Sequence, residues 1–149
     1  MNPSNQNLSA QDTRRRHILL IEDNEADATL TKLVHEQVRH CSRLDIVNSG
    51  LEAIEFLRRN RLSKTDLVLM DMTLPVKSGL ELIADIRGLP GCEFLPIVMV
   101  SGSDNPAELR RAYELGANCV IRKSSSWKEY FRRLESCYDF WCQVAELPA

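Results

Sequence analysis

The stretch Asp66-Leu67-Val68-Leu69-Met70-Asp71-Met72-Thr73-Leu74-Pro75 sets four apolar residues in unbroken succession between two aspartates. Alternation would mark a strand with one wet face, whereas a short unbroken run marks a strand buried on both faces, the habit of parallel sheets. Residues 18–21 (Ile-Leu-Leu-Ile) and 97–100 (Ile-Val-Met-Val) repeat the pattern. With two weaker runs they give five predicted strands, at 17–22, 44–47, 66–70, 96–100 and 118–121.

Helical patterns lie between them. Leu30, Leu33, Val34 and Val38 share one face, as do Ala53, Ile54 and Leu57. Ser49 with Glu52 and Ser78 with Glu81 have capping-box spacing, and Asn105 before Pro106 is an N-cap followed by a good first helical residue. Gly116 reads as a helix stop, and Ser125 or Ser126 as the start of the last helix. Five strand-then-helix repeats in one domain imply an α/β fold: a doubly wound, five-stranded parallel sheet of order 2-1-3-4-5 with right-handed crossovers. Its ligand crevice lies at the carboxyl ends of the strands, where the order reverses between strands 1 and 3.

The chain has 149 residues, 44% apolar and 27% charged, with six Gly and six Pro, which fits one globular domain and excludes a disordered or collagen-like chain. No apolar run approaches the ~18–20 residues that cross a bilayer, and the polar N-terminus resembles no secretory signal, so a cytoplasmic, non-membrane protein is expected. Five cysteines, an odd number without metal-ligand spacing, read as free thiols. Net charge is −2, and Arg14-Arg15-Arg16 reads as part of a solvated arm, so no nucleic-acid partner is expected.

The residues that end the strands are Glu22 and Asp23, Asp71, Ser101 and Lys123. The fold brings three carboxylates, a hydroxyl and an ammonium to one edge. Clustered carboxylates repel unless a cation neutralises them or one keeps a proton. An all-oxygen set suits Mg²⁺, and a carboxylate beside Mg²⁺ can attack a phosphoryl group to give an aspartyl phosphate. Asp71 is the central candidate, with the Lys123 ammonium and Ser101 hydroxyl placed to meet phosphoryl oxygens.

With these residues in place, the chain resembles the response-regulator receiver domains of two-component signalling. Glu22-Asp23-Asn24 is similar to the family's acidic metal pair, and Asp71-Met72-Thr73-Leu74-Pro75 with Gly79 to its phosphoacceptor strand end and loop. Val100-Ser101-Gly102 resembles its switch-hydroxyl segment, and Lys123 stands where the family keeps a lysine. The resemblance implies a flavodoxin-like receiver over 17–138, after a flexible arm at 1–16 and before a C-terminal helix extension at 139–149. It implies phosphorylation of Asp71 by a histidine kinase, with Mg²⁺ on Glu22, Asp23, Asp71 and the Thr73 backbone carbonyl, and with Ser101 and Lys123 reading the phosphate. Such a protein is a phosphoacceptor, not an enzyme with outside substrates. Two positions depart from the pattern. Lys123 is followed by Ser124 in place of a cis proline, so a trans bond is expected. Val120 stands where many receivers carry a rotating Tyr or Phe, so output is expected to take another route.

Aromatic residues crowd the C-terminus. Trp127, Tyr130, Phe131, Leu134, Tyr138 and Trp141 fall on one face of a helix predicted from Ser126 to Glu146, ~30 Å long, which outruns a five-strand sheet. Phe140, Trp141 and Val144 then need a partner, and a homodimer seamed by this helix is expected. The Phe-Trp helix end is similar to that of small regulators paired with bacterial phytochrome-type histidine kinases. Three other readings stay open: a flavodoxin-type nucleotide carrier, disfavoured by the acidic loop at Glu22-Asp23-Asn24-Glu25; a Mg²⁺-dependent aspartyl phosphatase, which would need an acid where Thr73 stands; and a receiver-like docking module.

Overall fold

The computed structural model describes residues 16–38, 41–59 and 65–148. Five strands, β1 (Arg16–Ile21), β2 (Cys41–Val47), β3 (Leu67–Asp71), β4 (Ile97–Ser101) and β5 (Cys119–Arg122), form one parallel sheet of order β2-β1-β3-β4-β5, as expected. The helices are α1 (Glu25–Gln37), α2 (Gly50–Arg59), α3 (Gly79–Arg87), α4 (Pro106–Leu115) and α5 (Trp127–Asp139), the last continuing as a π-helical turn, Phe140–Val144. The predicted arm lies outside the described residues except for Arg16, which opens β1.

The unbroken apolar runs feed two cores at once. Leu19, Ile21, Val68, Met70, Ile97 and Met99 point to the side covered by α2, α3 and α4. Their neighbours Ile18, Leu20, Leu67, Leu69, Val98 and Val100 point to the side covered by α1 and α5. A period-2 strand between two dry layers has no place for a polar residue until it ends. Chemistry is therefore confined to the strand termini.

The helix starts follow their caps. Asn24, Ser78, Asn105 and Ser126 each accept from a backbone N–H of the first turn, at 3.0, 3.3, 3.0 and 3.4 Å. Ser49 Oγ accepts from Glu52 N–H, while the Glu52 carboxylate reaches back to Asn48 N–H. Gly116 ends α4 at φ 113°. Gly79 has a different reason: a Cβ there would lie 2.6 Å from the Asp71 carbonyl oxygen and 2.9 Å from Met72 Cα. Only glycine lets α3 begin directly beneath the end of β3.

The structure corrects several details. The inward stripe of α1 buries Thr31, Val34 and Val38, with Ala28 and Leu30 packed at its edge as expected for Leu30, while Leu33 is exposed; Thr31 takes the inward place with its hydroxyl satisfied by the Asp27 carbonyl. The last helix stops at Val144, short of Glu146, since its final turn widens to π geometry and Ala145 turns extended with its N–H on the Phe140 carbonyl. Trp127, at the first position of α5, lies beyond the sheet and is exposed under the Lys128 ammonium, while Trp141 is partly buried against the chain's own core. Cys92, Cys119 and Cys137 are free thiols as expected, but Cys142 is disulfide-bonded, a proximity that only the folded chain supplies. Among the described residues no helix is long and apolar enough to cross a membrane, and no peptide bond is cis, which leaves Lys123-Ser124 trans as expected.

Candidate phosphoacceptor site

The ends of β1, β3, β4 and β5 deliver the expected residues to one edge. Register sets Ile21 beside Met70, Asp71 beside Val100 and Ser101 beside Arg122, so Glu22, Asp71, Ser101 and Lys123 emerge together. Glu22 and Asp71 are 3% and 5% exposed, whereas Asp23 faces solvent. One carboxylate oxygen from each of Glu22, Asp23 and Asp71 falls within a 4.8 Å cluster able to hold a metal ion.

The electrostatics of that cluster are unbalanced. Burial, then the hydrogen bond and charge of Asp71, push Glu22 up to about 8, against the opposing pull of Lys123 and the Asn24 N–H at 3.1 Å. Burial alone would lower the Lys123 ammonium. Hydrogen bonds to Asp27 and Asp71 and the charges of Asp71 and Glu22 outweigh it and hold the ammonium above its ordinary range. Lys123 Nζ lies 2.7 Å from Asp27 Oδ2, 2.9 Å from Asp71 Oδ2 and 3.9 Å from Glu22 Oε2. Asp71 Oδ1 accepts from the Thr73 N–H at 2.9 Å.

Ser101 is buried beside this group but otherwise engaged. Its hydroxyl donates to Met72 Sδ at 3.5 Å and accepts from Ser103 N–H at 3.0 Å. Val120, the residue without an aromatic ring, helps line a cavity of about 180 Å³ with Met72, Ser101, Leu109 and Arg122. The Val120 N–H is met from outside the sheet by Tyr113 Oη of α4, at 3.2 Å.

Asp27 is the site residue that sequence reasoning missed. In the sequence it is one more acid in a helical first turn, a common place for carboxylates. Its one signal is position, three residues beyond the Asn24 cap and thus on the helix end that faces the strand termini.

A parallel doubly wound sheet thus brings three carboxylates, a hydroxyl and a lysine together at the carboxyl ends of its strands. The profile of the response regulator receiver domain matches residues 18–135, and the chain belongs to that family. Response regulator Rcp1 of Synechocystis sp. is 32% identical over 146 residues, 95% of this chain and 99% of that protein. The phosphorylated cyanobacterial phytochrome response regulator RcpA, known from its crystal structure, superposes with a TM-score of 0.85 at 32% identity, over 91% of this chain and 99% of RcpA. The Mn²⁺-bound form of Rcp1 gives 0.83 at 33% identity, over 90% and 99%.

Proposed function

We propose that this chain is a response regulator that takes a phosphoryl group onto Asp71 from the phosphohistidine of a histidine kinase and signals through altered protein contacts. The observation that carries the reading is the assembled edge: Asp71 between a carboxylate cluster and an ammonium 2.9 Å away. A degenerate docking module would have no reason to bury Glu22 and Asp71 together.

In the transfer, an Asp71 carboxylate oxygen bonds to phosphorus as the phosphorus–nitrogen bond to the imidazole breaks, and the electron pair leaves on that nitrogen. Lys123 neutralises charge on a phosphoryl oxygen, and Ser101, released from Met72, donates to another. The donor set fits a hard divalent cation: it is all oxygen, it clusters within 4.8 Å, and burial with the neighbouring Asp71 drives Glu22 toward its protonated form. Glu22, Asp23, Asp71 and the Thr73 carbonyl would hold Mg²⁺, which when bound offsets the charge of the phosphoryl oxygens. A nearby carboxylate base is not needed for this chemistry, and the exposed Thr73 offers none of the acid–base function an aspartyl phosphatase would use.

The likeness to RcpA and Rcp1 supports a phytochrome-type histidine kinase as donor. Phe140 and Val144, 49% and 70% exposed at the end of the last helix, support a homodimer seamed there. Incubation with acetyl phosphate and Mg²⁺, read by intact mass, should add one phosphoryl group to the wild type and none to Asp71→Asn. A modification that survives in Asp71→Asn would place the acceptor elsewhere.

A further inference from the structure

Lys123 is held by carboxylates from two distant parts of the chain. Asp71 ends the central strand, whereas Asp27 sits in the first turn of α1 and is the nearer partner, at 2.7 Å against 2.9 Å. The backbone of Asp27 is fixed on both sides, its N–H donating to Asn24 Oδ1 at 3.0 Å and its carbonyl accepting from Thr31 Oγ1 at 3.2 Å. The side chain is 27% exposed and stands outside the metal cluster.

We propose that Asp27 is a positioning residue for phosphoryl transfer: it anchors the Lys123 ammonium and sets how much of its charge reaches the phosphoryl group on Asp71. The inference rests on the phosphoacceptor reading above. Both Asp71 oxygens are engaged in the resting site, Oδ2 by Lys123 and Oδ1 by the Thr73 N–H. When Asp71 bonds to phosphorus, the lysine's hydrogen bond must pass from the carboxylate to a phosphoryl oxygen. A lysine with Asp71 as its sole close partner would make that move on a four-carbon stem with many rotamers. Asp27 gives the ammonium a second, fixed bond about which to pivot, leaving its remaining protons directed at the site.

The arrangement also restrains the reaction. The Asp27 charge competes with phosphoryl oxygens for the same ammonium, so an uncharged side chain of the same shape leaves Lys123 to the incoming group. The test is the phosphorylation rate of the full chain with acetyl phosphate at saturating Mg²⁺, by intact mass, in wild type, Asp27→Asn, Lys123→Ala and the double variant. Competition for the charge should outweigh the lost pivot, so Asp27→Asn should react about 3- to 10-fold faster, the size of one ordinary net hydrogen bond, and the same change in the Lys123→Ala background should alter the rate by less than about 1.5-fold; a slower Asp27→Asn overturns the restraint. An equal effect in both backgrounds, or none in the wild-type background, overturns the role. A wild type that takes no phosphoryl group overturns the phosphoacceptor reading itself, and is seen before any variant is made. A second readout needs no turnover: the ¹⁵N-resolved ammonium protons of Lys123 should exchange with water several-fold faster in Asp27→Asn than in wild type, and equal exchange would show that Asp27 does not hold the lysine.

Discussion

At the amino end of the sheet the Arg87 guanidinium donates to the carbonyls of Cys92, Glu93 and Leu95, to the Gly116 carbonyl and to Asn118 Oδ1, at 2.5 to 3.3 Å. At the carboxyl end the Lys123 ammonium faces Asp27, Asp71 and Glu22. One cation is surrounded by neutral dipoles from two connections, those leading into β4 and β5; the other is outnumbered by three carboxyl groups, from the end of β1, from α1 and from the end of β3. The amino end is complete in hydrogen bonds, its guanidinium met by five oxygens of the protein, although burial lowers its pKa. The carboxyl end is not, and a divalent cation or a phosphoryl group changes its balance. Stability and the proposed switching thus fall at opposite ends of the same strands.

Breaking the amino end should have the largest effect. Arg87→Ala removes five hydrogen bonds and leaves carbonyls in partly buried loops unpaired, so a loss of about 2 to 4 kcal/mol in urea unfolding is expected. Phosphorylation of Asp71 by acetyl phosphate should persist below the new melting temperature. A loss under about 1 kcal/mol, or a folded variant that no longer accepts phosphate, would erase the division between the two ends.

The carboxyl end should answer with the opposite sign. In EDTA, Asp23→Asn removes one repelling charge and should raise stability by about 1 kcal/mol while abolishing most of the Mg²⁺-induced rise in melting temperature. Glu22 adds a pH dependence to the metal-free chain that opposes that of His35, whose pKa burial lowers. Its folded pKa of about 8 lies above the ordinary 4.5, so its share of stability is full below pH 4.5 and is lost as pH rises through about 8. Thermal melts in EDTA should fall across that window and flatten in Glu22→Gln. A metal-free protein whose stability climbs from pH 5 to 8 in wild type but not in Glu22→Gln would contradict the crowding.

The two ends were not equally legible. Glu22, Asp23, Asp71 and Lys123 could be read directly because an apolar run tells where a strand ends, and the parallel order then says which ends are neighbours. The capped helix starts were legible for the same local reason. Arg87 was not, because four of its five partners are backbone carbonyls, which leave no trace in residue identity. Asp27 was missed because its reach to Lys123 depends on how α1 lies against the sheet, and the departure of Leu33 from the buried stripe shows that the rotation of this helix was misjudged by the same reading. The π-helical turn and the disulfide at Cys142 arise from packing of the chain's end, again beyond local pattern.

The smallest effect expected tests whether the carboxyl end also holds backbone strain. Val76 has φ 66°, in a tight turn closed by the Lys77 N–H on the Pro75 carbonyl at 2.7 Å, and its side chain is fully exposed. A β-branched residue rarely adopts that conformation, and such outliers cost of order 1 to 3 kcal/mol. The loop has reason to hold it. It spans the short distance from Asp71 to Gly79, whose N–H is tied to the Met72 carbonyl at 2.9 Å, while Lys77 pairs with Asp85 on α3. Val76→Gly loses no buried contact and removes the strain, but adds about 1 kcal/mol of chain entropy in the unfolded state. The net expectation is a gain of roughly 0.5 to 1 kcal/mol, with the phosphorylation rate from acetyl phosphate unchanged. Val76→Ala, which keeps a Cβ but not the branch, should fall between glycine and wild type. A destabilised glycine variant would mean that Val76 sits without strain; a stabilised one that also phosphorylates more slowly would mean that the strained turn helps set the geometry of Asp71.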